Sequence, residues 1–191
     1  MNAHSRSKAI LALVLAISIA ATGCSAQWIN IALQDLPVLT QMALNIATLA
    51  SAFSKQQNTA DIAVIQNLST QASRDLNLLL TLYNEYKANP NASTLAKIQS
   101  AVTDANQNLP ALLESAHISN SLLTVRVTAA INLILTTVNS FAALMPASSA
   151  VKARKAVATL PTASDLKRRW NQQVCAPADF ANGETRQCLM R

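Results

Sequence analysis

Glycine is almost absent from this chain of 191 residues, and its scarcity limits the folds that the chain can adopt. The sequence contains two glycines, Gly23 and Gly183. Hairpins and tight strand connections need residues with positive φ, which glycine supplies without steric cost. Aromatic residues make up only 4% of the chain, whereas alanine and leucine, both strong helix formers, are abundant. The composition therefore predicts an all-α protein.

The first predicted helix is clearest from Leu36 onward. Pro37 lacks a backbone N–H and is poorly tolerated inside a helix, so we expect a kink or a break there, with Asp35 as a cap. Residues 28–33 then form either the first turns of a kinked helix or a separate short helix. Apolar residues continue beyond the proline in steps of three and four, which indicates one buried face. These residues are Leu39, Met42, Ile46, Leu49 and Phe53.

Three further segments have the same helical periodicity. They span 58–89, where Asn89–Pro90 ends the pattern, then 94–112 with Pro110 inside it, and about 120–145 before Pro146. Short connections make consecutive helices antiparallel neighbours. The expected fold is thus an up-down antiparallel four-helix bundle over residues 24–146, followed by a basic and partly irregular tail over 147–191. Within this tail, Ser164 and Asp165 are the predicted cap of a short helix from Leu166 to Val174.

The fourth segment also has an alternative interpretation. Residues 127–145 carry no charge, and this stretch is close to the length of a membrane span. Its threonines, asparagines and serine would each cost free energy in lipid, however, whereas most of them can face water on a bundle helix. The pattern favours a bundle helix and leaves a membrane span as the alternative.

The N-terminus has the organisation of an export signal. Arg6 and Lys8 precede an apolar run over residues 9–21, which is too short for a spanning helix. The residues Ala21-Thr22-Gly23-Cys24 that follow resemble the lipobox of bacterial lipoproteins. This resemblance implies that residues 1–23 are a signal peptide and that Cys24 is lipidated and becomes the first residue of the mature chain. Cleavage after Ala26, which would release a soluble protein, is the alternative.

The resemblance also implies a location. A lipid-anchored chain would lie at the periplasmic face of a membrane in the cell envelope. Ser25 resembles the second residue that often accompanies delivery to the outer membrane, so the outer membrane is favoured over the inner one. The membrane is then the first expected partner.

Charge is unevenly distributed along the chain. Residues 24–146 contain five Lys/Arg and six Asp/Glu, whereas residues 147–191 contain eight and three. Six of the basic residues form two clusters and are the candidate site for an anionic surface: Lys152, Arg154, Lys155, Lys167, Arg168 and Arg169. Such clusters are attracted to anionic headgroups, envelope polymers or acidic proteins. Nucleic acid is a poor partner in that compartment, and a purely solubilising role for the tail is the alternative.

The remaining cysteines indicate an oxidising compartment. With Cys24 assigned to the anchor, Cys175 and Cys188 form an even pair in an exported segment, which predicts a disulfide. If the fourth helix instead spanned the membrane, the basic tail would be cytoplasmic and both thiols would stay reduced.

The sequence contains few signs of catalysis. One glycine in the mature chain cannot form a phosphate-binding loop, so nucleotide enzymes are excluded. Glu114 and His117 have the Glu-x-x-His spacing of bundle metal sites, but such sites need it twice. Ser115, Ser119 or Ser121 beside His117 is more typical of helix capping than of a nucleophile. We expect no catalytic residue, metal or cofactor.

Aromatic residues leave two questions open. Tyr83 and Tyr86, with Glu85 between them, could line a ligand site, but their helical phase favours the core with hydroxyls at its rim. Trp28 could lie at the lipid headgroups near Cys24 or pack against the bundle. The sequence thus predicts a non-enzymatic interaction protein, with a periplasmic binding module for a small apolar ligand as the alternative. It predicts no oligomeric state.

Overall fold

The computed structural model of the protein describes residues 28–51, 59–145, 160–175 and 188–190. These residues contain helices and no strand, which confirms the predicted all-α class. Helix α1 covers 28–51, and four more helices follow: α2 (Thr59–Ala88), α3 (Ala92–Ser115), α4 (Ser121–Ala142) and α5 (Ala163–Trp170). A π-helical turn, Asn171–Cys175, extends α5.

Helix α1 is continuous through Pro37, so of the two expected alternatives, a kinked helix and a separate short helix, the structure excludes the separate helix. Pro37 lies on the exposed side of α1, while Trp28, Ile29 and Ala32 are buried in the turns before it. Burial of these first turns keeps them in line with the rest of the helix and compensates for the N–H that proline lacks. Asp35 lies inside the helix, where it cannot act as an N-cap.

Helix α2 contacts both α1 and the connection between α3 and α4. Ser69, a polar residue on the apolar face of α2, is buried and donates its hydroxyl to the Ala43 carbonyl of α1 at 2.8 Å. Asp61 in the first turn accepts hydrogen bonds from the backbone N–H and the hydroxyl of Ser119. Helix α2 ends at Ala88, directly before Asn89 and Pro90 as predicted.

Asparagine side chains start the next two helices. Asn91 accepts a hydrogen bond from Thr94 N–H at 2.8 Å and caps α3, which begins at Ala92, two residues before the predicted start at 94. Asn120 caps α4 in the same way through Leu123 N–H at 3.1 Å. Pro110 lies within α3 and faces solvent, and α3 continues to Ser115. Both caps satisfy N–H groups that a helix start leaves unpaired.

One apolar core joins all five helices. It contains four of the five residues predicted for the buried face of α1, namely Leu39, Met42, Ile46 and Leu49. Phe53 and Pro146 lie outside the described residues. The core also includes Leu166 and Trp170 of α5 and Val174 of the π-helical turn. The described part of the predicted tail therefore contains the expected short helix and packs against the other helices, because each turn of α5 supplies an apolar side chain to the core.

Helix α4 is long and apolar enough to cross a membrane, with a mean hydropathy of 1.6. More than half of this stretch, 56%, is buried inside the protein. Asn132, Thr136 and Asn139 face outward, and the buried Thr137 donates its hydroxyl to the Leu133 carbonyl. This burial is typical of a core helix and favours the bundle interpretation over a span.

Candidate anionic-surface site

Helix α5 holds the second predicted basic cluster, and its own sequence explains where it begins. Thr162 accepts a hydrogen bond from Asp165 N–H, and the Asp165 carboxylate accepts one from Thr162 N–H, which forms a capping box. The predicted cap at Ser164 and Asp165 is therefore two to three residues late. Leu166 and Trp170 share one face of α5 and are both fully buried, which fixes the rotation of the helix.

The end of α5 is fastened by contacts with residues 188–190. Cys175 and Cys188 form the predicted pair, with Cα atoms 5.6 Å apart and both side chains buried. The Trp170 indole N–H donates to the Cys188 carbonyl at 3.0 Å. Asn171 exchanges two hydrogen bonds with the backbone of Met190, at 2.8 and 3.0 Å. Side-chain, backbone and covalent contacts thus hold this end of the helix together.

Arg126 fastens the same end of α5 to α4. Its guanidinium is buried and donates to the carbonyls of Val174 and Cys175 at 3.2 and 3.1 Å. These carbonyls close a helical segment, where the partial negative charge of the backbone favours a cation. Burial lowers the pKa of Arg126 from its usual range. This contact was not predicted from the sequence, although Arg126 is the single charge in α4 and lies next to the buried Val127.

The basic triplet, Lys167, Arg168 and Arg169, lies on the side of α5 away from the core. Arg168 and Arg169 are exposed and Lys167 is half-buried. Arg168 pairs with Asp165 at 2.6 Å. Hydrogen bonds from Thr162, with Arg168 and Arg169 nearby, lower the pKa of Asp165. The other predicted cluster, Lys152, Arg154 and Lys155, lies outside the described residues, so its position relative to the triplet is not defined.

A buried carboxylate lies between α1 and α5. Asp35 is only 2% exposed, and its Oδ2 atom has no hydrogen-bond partner. Burial, and secondarily the negative charge of Asp165, raises the pKa of Asp35 to about 6. Asp35 was predicted from the sequence only as a cap. Its burial depends on contacts with residues that are far from it in the sequence.

An open groove of about 460 Å³ follows the contact between α1 and α5. Its lining includes Pro37, Val38 and Gln41 of α1, Lys167 of α5, and Leu189 and Met190. We call it the α1–α5 groove. A second open groove lies between α2 and α3 and is lined by Gln71, Asn108, Ala111, Leu112 and Ser115. Both grooves are open surface depressions. A binding module for an apolar ligand, the alternative function predicted from the sequence, requires a chamber between helices.

The aromatic residues pack together at the start of α1. Trp28 meets Tyr83 edge-on with ring centres 5.5 Å apart and Tyr86 at 6.3 Å. All three are buried, so Trp28 packs against the bundle rather than facing outward, and the tyrosines belong to the core. The Tyr83 hydroxyl and the Trp28 indole N–H have no hydrogen-bond partners. The expectation that the tyrosine hydroxyls reach the rim is therefore wrong for Tyr83, and burial raises its pKa.

The residues around His117 have a structural arrangement. His117 adopts a positive φ of 41° in the connection before α4, and its side chain is exposed. The Ser119 hydroxyl donates to the Asp61 carboxylate, an arrangement that differs from a serine activated by an imidazole base. Among the described residues, no group of three or more His, Cys, Asp or Glu side chains could hold a metal ion.

No protein-family model, curated protein or solved structure matches this chain.

Proposed function

We propose that this protein is a non-enzymatic, lipid-anchored protein of the bacterial envelope that acts by binding an anionic surface. The anchor would be Cys24, and the binding residues would be the basic triplet of α5 together with Lys152, Arg154 and Lys155. The periplasmic side of the outer membrane is the favoured location, and the resemblance of residues 21–24 to a lipobox supports this assignment.

The observation that carries this proposal is the rigid support of the basic triplet. Leu166 and Trp170 bury one side of α5 in the core, so Arg168 and Arg169 are held outward on a fixed helix. A tail that served only solubility would need no such support. Each basic residue near an anionic membrane surface contributes about 1 kcal/mol, so the triplet can give measurable binding at low salt.

We also infer that α1 to α4 form the up-down bundle expected from the sequence, with α5 packed on its outside. Trp28 at the start of α1 contacts Tyr83 and Tyr86 near the end of α2. Ser119, just before α4, bonds to Asp61 at the start of α2. These pairs support alternating helix directions. An up-down bundle of this kind would hold the triplet at a defined position relative to the anchor, Cys24.

The proposed binding predicts the effect of removing the triplet. We expect the mature chain with Cys24→Ala to sediment with vesicles that contain phosphatidylglycerol, because the unacylated protein can then bind only through its surface charges. Lys167→Gln, Arg168→Gln and Arg169→Gln together should remove most of this binding. It should also weaken as salt rises and the Debye length falls below about 10 Å. The measurement is the fraction of protein in the vesicle pellet.

The matched control removes three other positive charges. Arg74, Lys87 and Lys97 are exposed on α2 and α3, and changing all three to Gln gives the same net charge as the triplet variant. We expect this control to keep most of the binding. Equal losses in both variants would mean that net charge rather than α5 drives the binding, and would refute the proposed site. Deletion of the region after residue 146 is a poor test, since it removes Leu166 and Trp170 from the core.

A further inference from the structure

Helix α1 exposes no charged side chain anywhere in its described length of 24 residues. Its single charged residue, Asp35, is buried. The exposed positions of α1 recur every three or four residues and therefore form one stripe along the whole helix. This uncharged stripe consists of Asn30, Gln34, Pro37, Gln41, Leu44, Thr48 and Ser51.

Helices α2 and α3 differ from α1 in this respect. Both signs of charge occur on their exposed surfaces, as is usual for helices that face water. The exposed charged residues of these two helices are Arg74, Glu85, Lys87, Lys97, Asp104 and Glu114. The described surface thus has a charged side, formed by α2 and α3, and an uncharged side that includes α1.

The basic triplet lies beside the uncharged stripe of α1. Lys167 and α1 line the α1–α5 groove together, and Leu189, 43% exposed, lines it as well. On the opposite flank, α5 and its π-helical turn contact α4 through Arg126. The exposed stripe of α4 is also uncharged and includes Leu122 and Val125. The cations of α5 are therefore flanked by two helices that expose no charge.

This combination fits the interface of a lipid bilayer better than a soluble anion or an anionic polymer. Cations can meet lipid phosphates while exposed apolar side chains beside them enter the headgroup region. A polysaccharide would use the cations but gain little from Leu44 or Leu189. Asp165, an acidic group on the same helix as the triplet, is paired with Arg168.

The position of the anchor allows this contact. Cys24 precedes Trp28 by four residues, which can span at most about 14 Å. Pro37 and the groove lie nine residues further along α1, about 14 Å at the rise of a helix, and Leu44 lies about 24 Å from Trp28. If α1 stood upright on its tether, Leu44 would be held well above the lipid. If α1 lay flat, Leu44 and the triplet would both reach the headgroups.

We infer that α1 and α5 form a membrane-apposed face, made of the uncharged stripe, the basic triplet and Leu189, which lies flat on the anionic phospholipids of the bilayer that holds the anchor. This inference rests on the proposed function and specifies its partner and orientation. It places the charged surfaces of α2 and α3 toward the aqueous compartment.

Quenching of tryptophan fluorescence by brominated acyl chains tests the orientation. Three single variants of the acylated protein are reconstituted in phosphatidylethanolamine vesicles that contain phosphatidylglycerol: Leu44→Trp, Leu189→Trp and Leu78→Trp. The replaced leucines have similar exposure, 47%, 43% and 51%, but Leu78 lies on α2 one turn after the exposed Arg74. Trp28 and Trp170 are buried and give the same background in every sample, which the unsubstituted protein measures.

We expect emission from positions 44 and 189 to shift to the blue and lose intensity with brominated lipid, and emission from position 78 to stay unchanged. Replacing phosphatidylglycerol by neutral phosphatidylcholine should reduce the loss at position 44. Quenching at position 78 equal to that at 44 would overturn the inferred face. No quenching at 44 and 189, with vesicle binding of the unacylated protein still dependent on the triplet, would overturn the flat orientation and leave the proposed function intact. Circular dichroism checks that each variant is folded.

Discussion

Asp35 is a carboxylate that the folded protein buries without a full set of partners. Its pKa of about 6 lies above the ordinary value of 3.8, mainly because burial disfavours the charged form. A raised pKa in the folded state means that this residue destabilises the protein once the pH is high enough to ionise it. At about 1.4 kcal/mol for each pKa unit, the penalty approaches roughly 3 kcal/mol at neutral pH.

The pH dependence has a definite sign. Below pH 3.8 Asp35 is protonated in both states and carries no penalty. Between about pH 4 and 6 the unfolded chain releases its proton first, so the free energy of unfolding falls as the pH rises. We expect Asp35→Asn to remove this fall and to raise the free energy of unfolding at pH 7 by about 2 kcal/mol, since the buried amide also lacks partners. Urea denaturation of both proteins from pH 4 to 7 measures the difference.

An exposed carboxylate provides the control for that experiment. Glu85 lies on the solvent side of α2, and Glu85→Gln removes the same charge without changing the core. We expect its unfolding curve to follow that of the unsubstituted protein at every pH. The same pH dependence in the Asp35→Asn variant and the unsubstituted protein would show that Asp35 is solvated. It would contradict the burial assigned to this residue.

At the level of elements, α5 depends on α4 through Arg126. Arg126→Met keeps an apolar side chain of similar length but removes both donors from the carbonyls of Val174 and Cys175. We expect the free energy of unfolding to fall by about 1–2 kcal/mol. The unpaired carbonyls cost more free energy than is gained by no longer burying a guanidinium. Fluorescence of Trp170 in a Trp28→Phe background should report detachment of α5 at a lower urea concentration.

Arg74 is the matched control for Arg126. Arg74→Met removes an exposed cation from α2 and should leave the Trp170 transition unchanged. An unchanged midpoint in the Arg126 variant would show that Trp170 and the disulfide alone hold α5 in place.

The boundaries of the helices show what could be predicted from the sequence. Helices α2 to α4 were predictable because each carries a long apolar seam, and Asn91, Asn120 and Asn89–Pro90 mark their ends with ordinary capping and stop residues. The pattern Thr162-Ala163-Ser164-Asp165 also carried a capping signal for α5.

The docking of α5 could not be predicted in the same way. Its eight residues contribute only Leu166 and Trp170 to the core, which is too few to establish a periodic pattern. Its attachment depends on Arg126, Cys188 and Met190, which lie far from α5 in the sequence. The basic triplet was recognisable by charge alone, but its support by the core and its position beside the uncharged stripe required the three-dimensional contacts.

For the whole molecule, the anchor determines where any surface contact can take place. We expect Cys24 to be acylated, because small residues precede it at the end of the predicted signal peptide. Several acyl chains hold a protein far more firmly than one, so Cys24→Ala should move the protein from the membrane fraction to the soluble fraction in high salt.

Intact mass of the membrane-extracted protein provides the direct measurement. A Ser25→Ala variant, which leaves the cysteine in place, serves as the control and should stay membrane-bound. A mature chain that begins at Gln27 would contradict acylation and would indicate cleavage after Ala26.

The burial of Asp35 near the charge of Asp165 also has a consequence for the order of folding. The two residues are 130 positions apart, so α1 emerges before α5 both during synthesis and during export. During that interval the surface that α5 later covers faces water, and its apolar side chains could bind other unfinished chains. Asp35 is hydrated and ionised at that stage without penalty. We therefore expect the charge of Asp35 to reduce aggregation of the intermediate in which α5 has not yet packed against α1. The same charge lowers the stability of the folded protein.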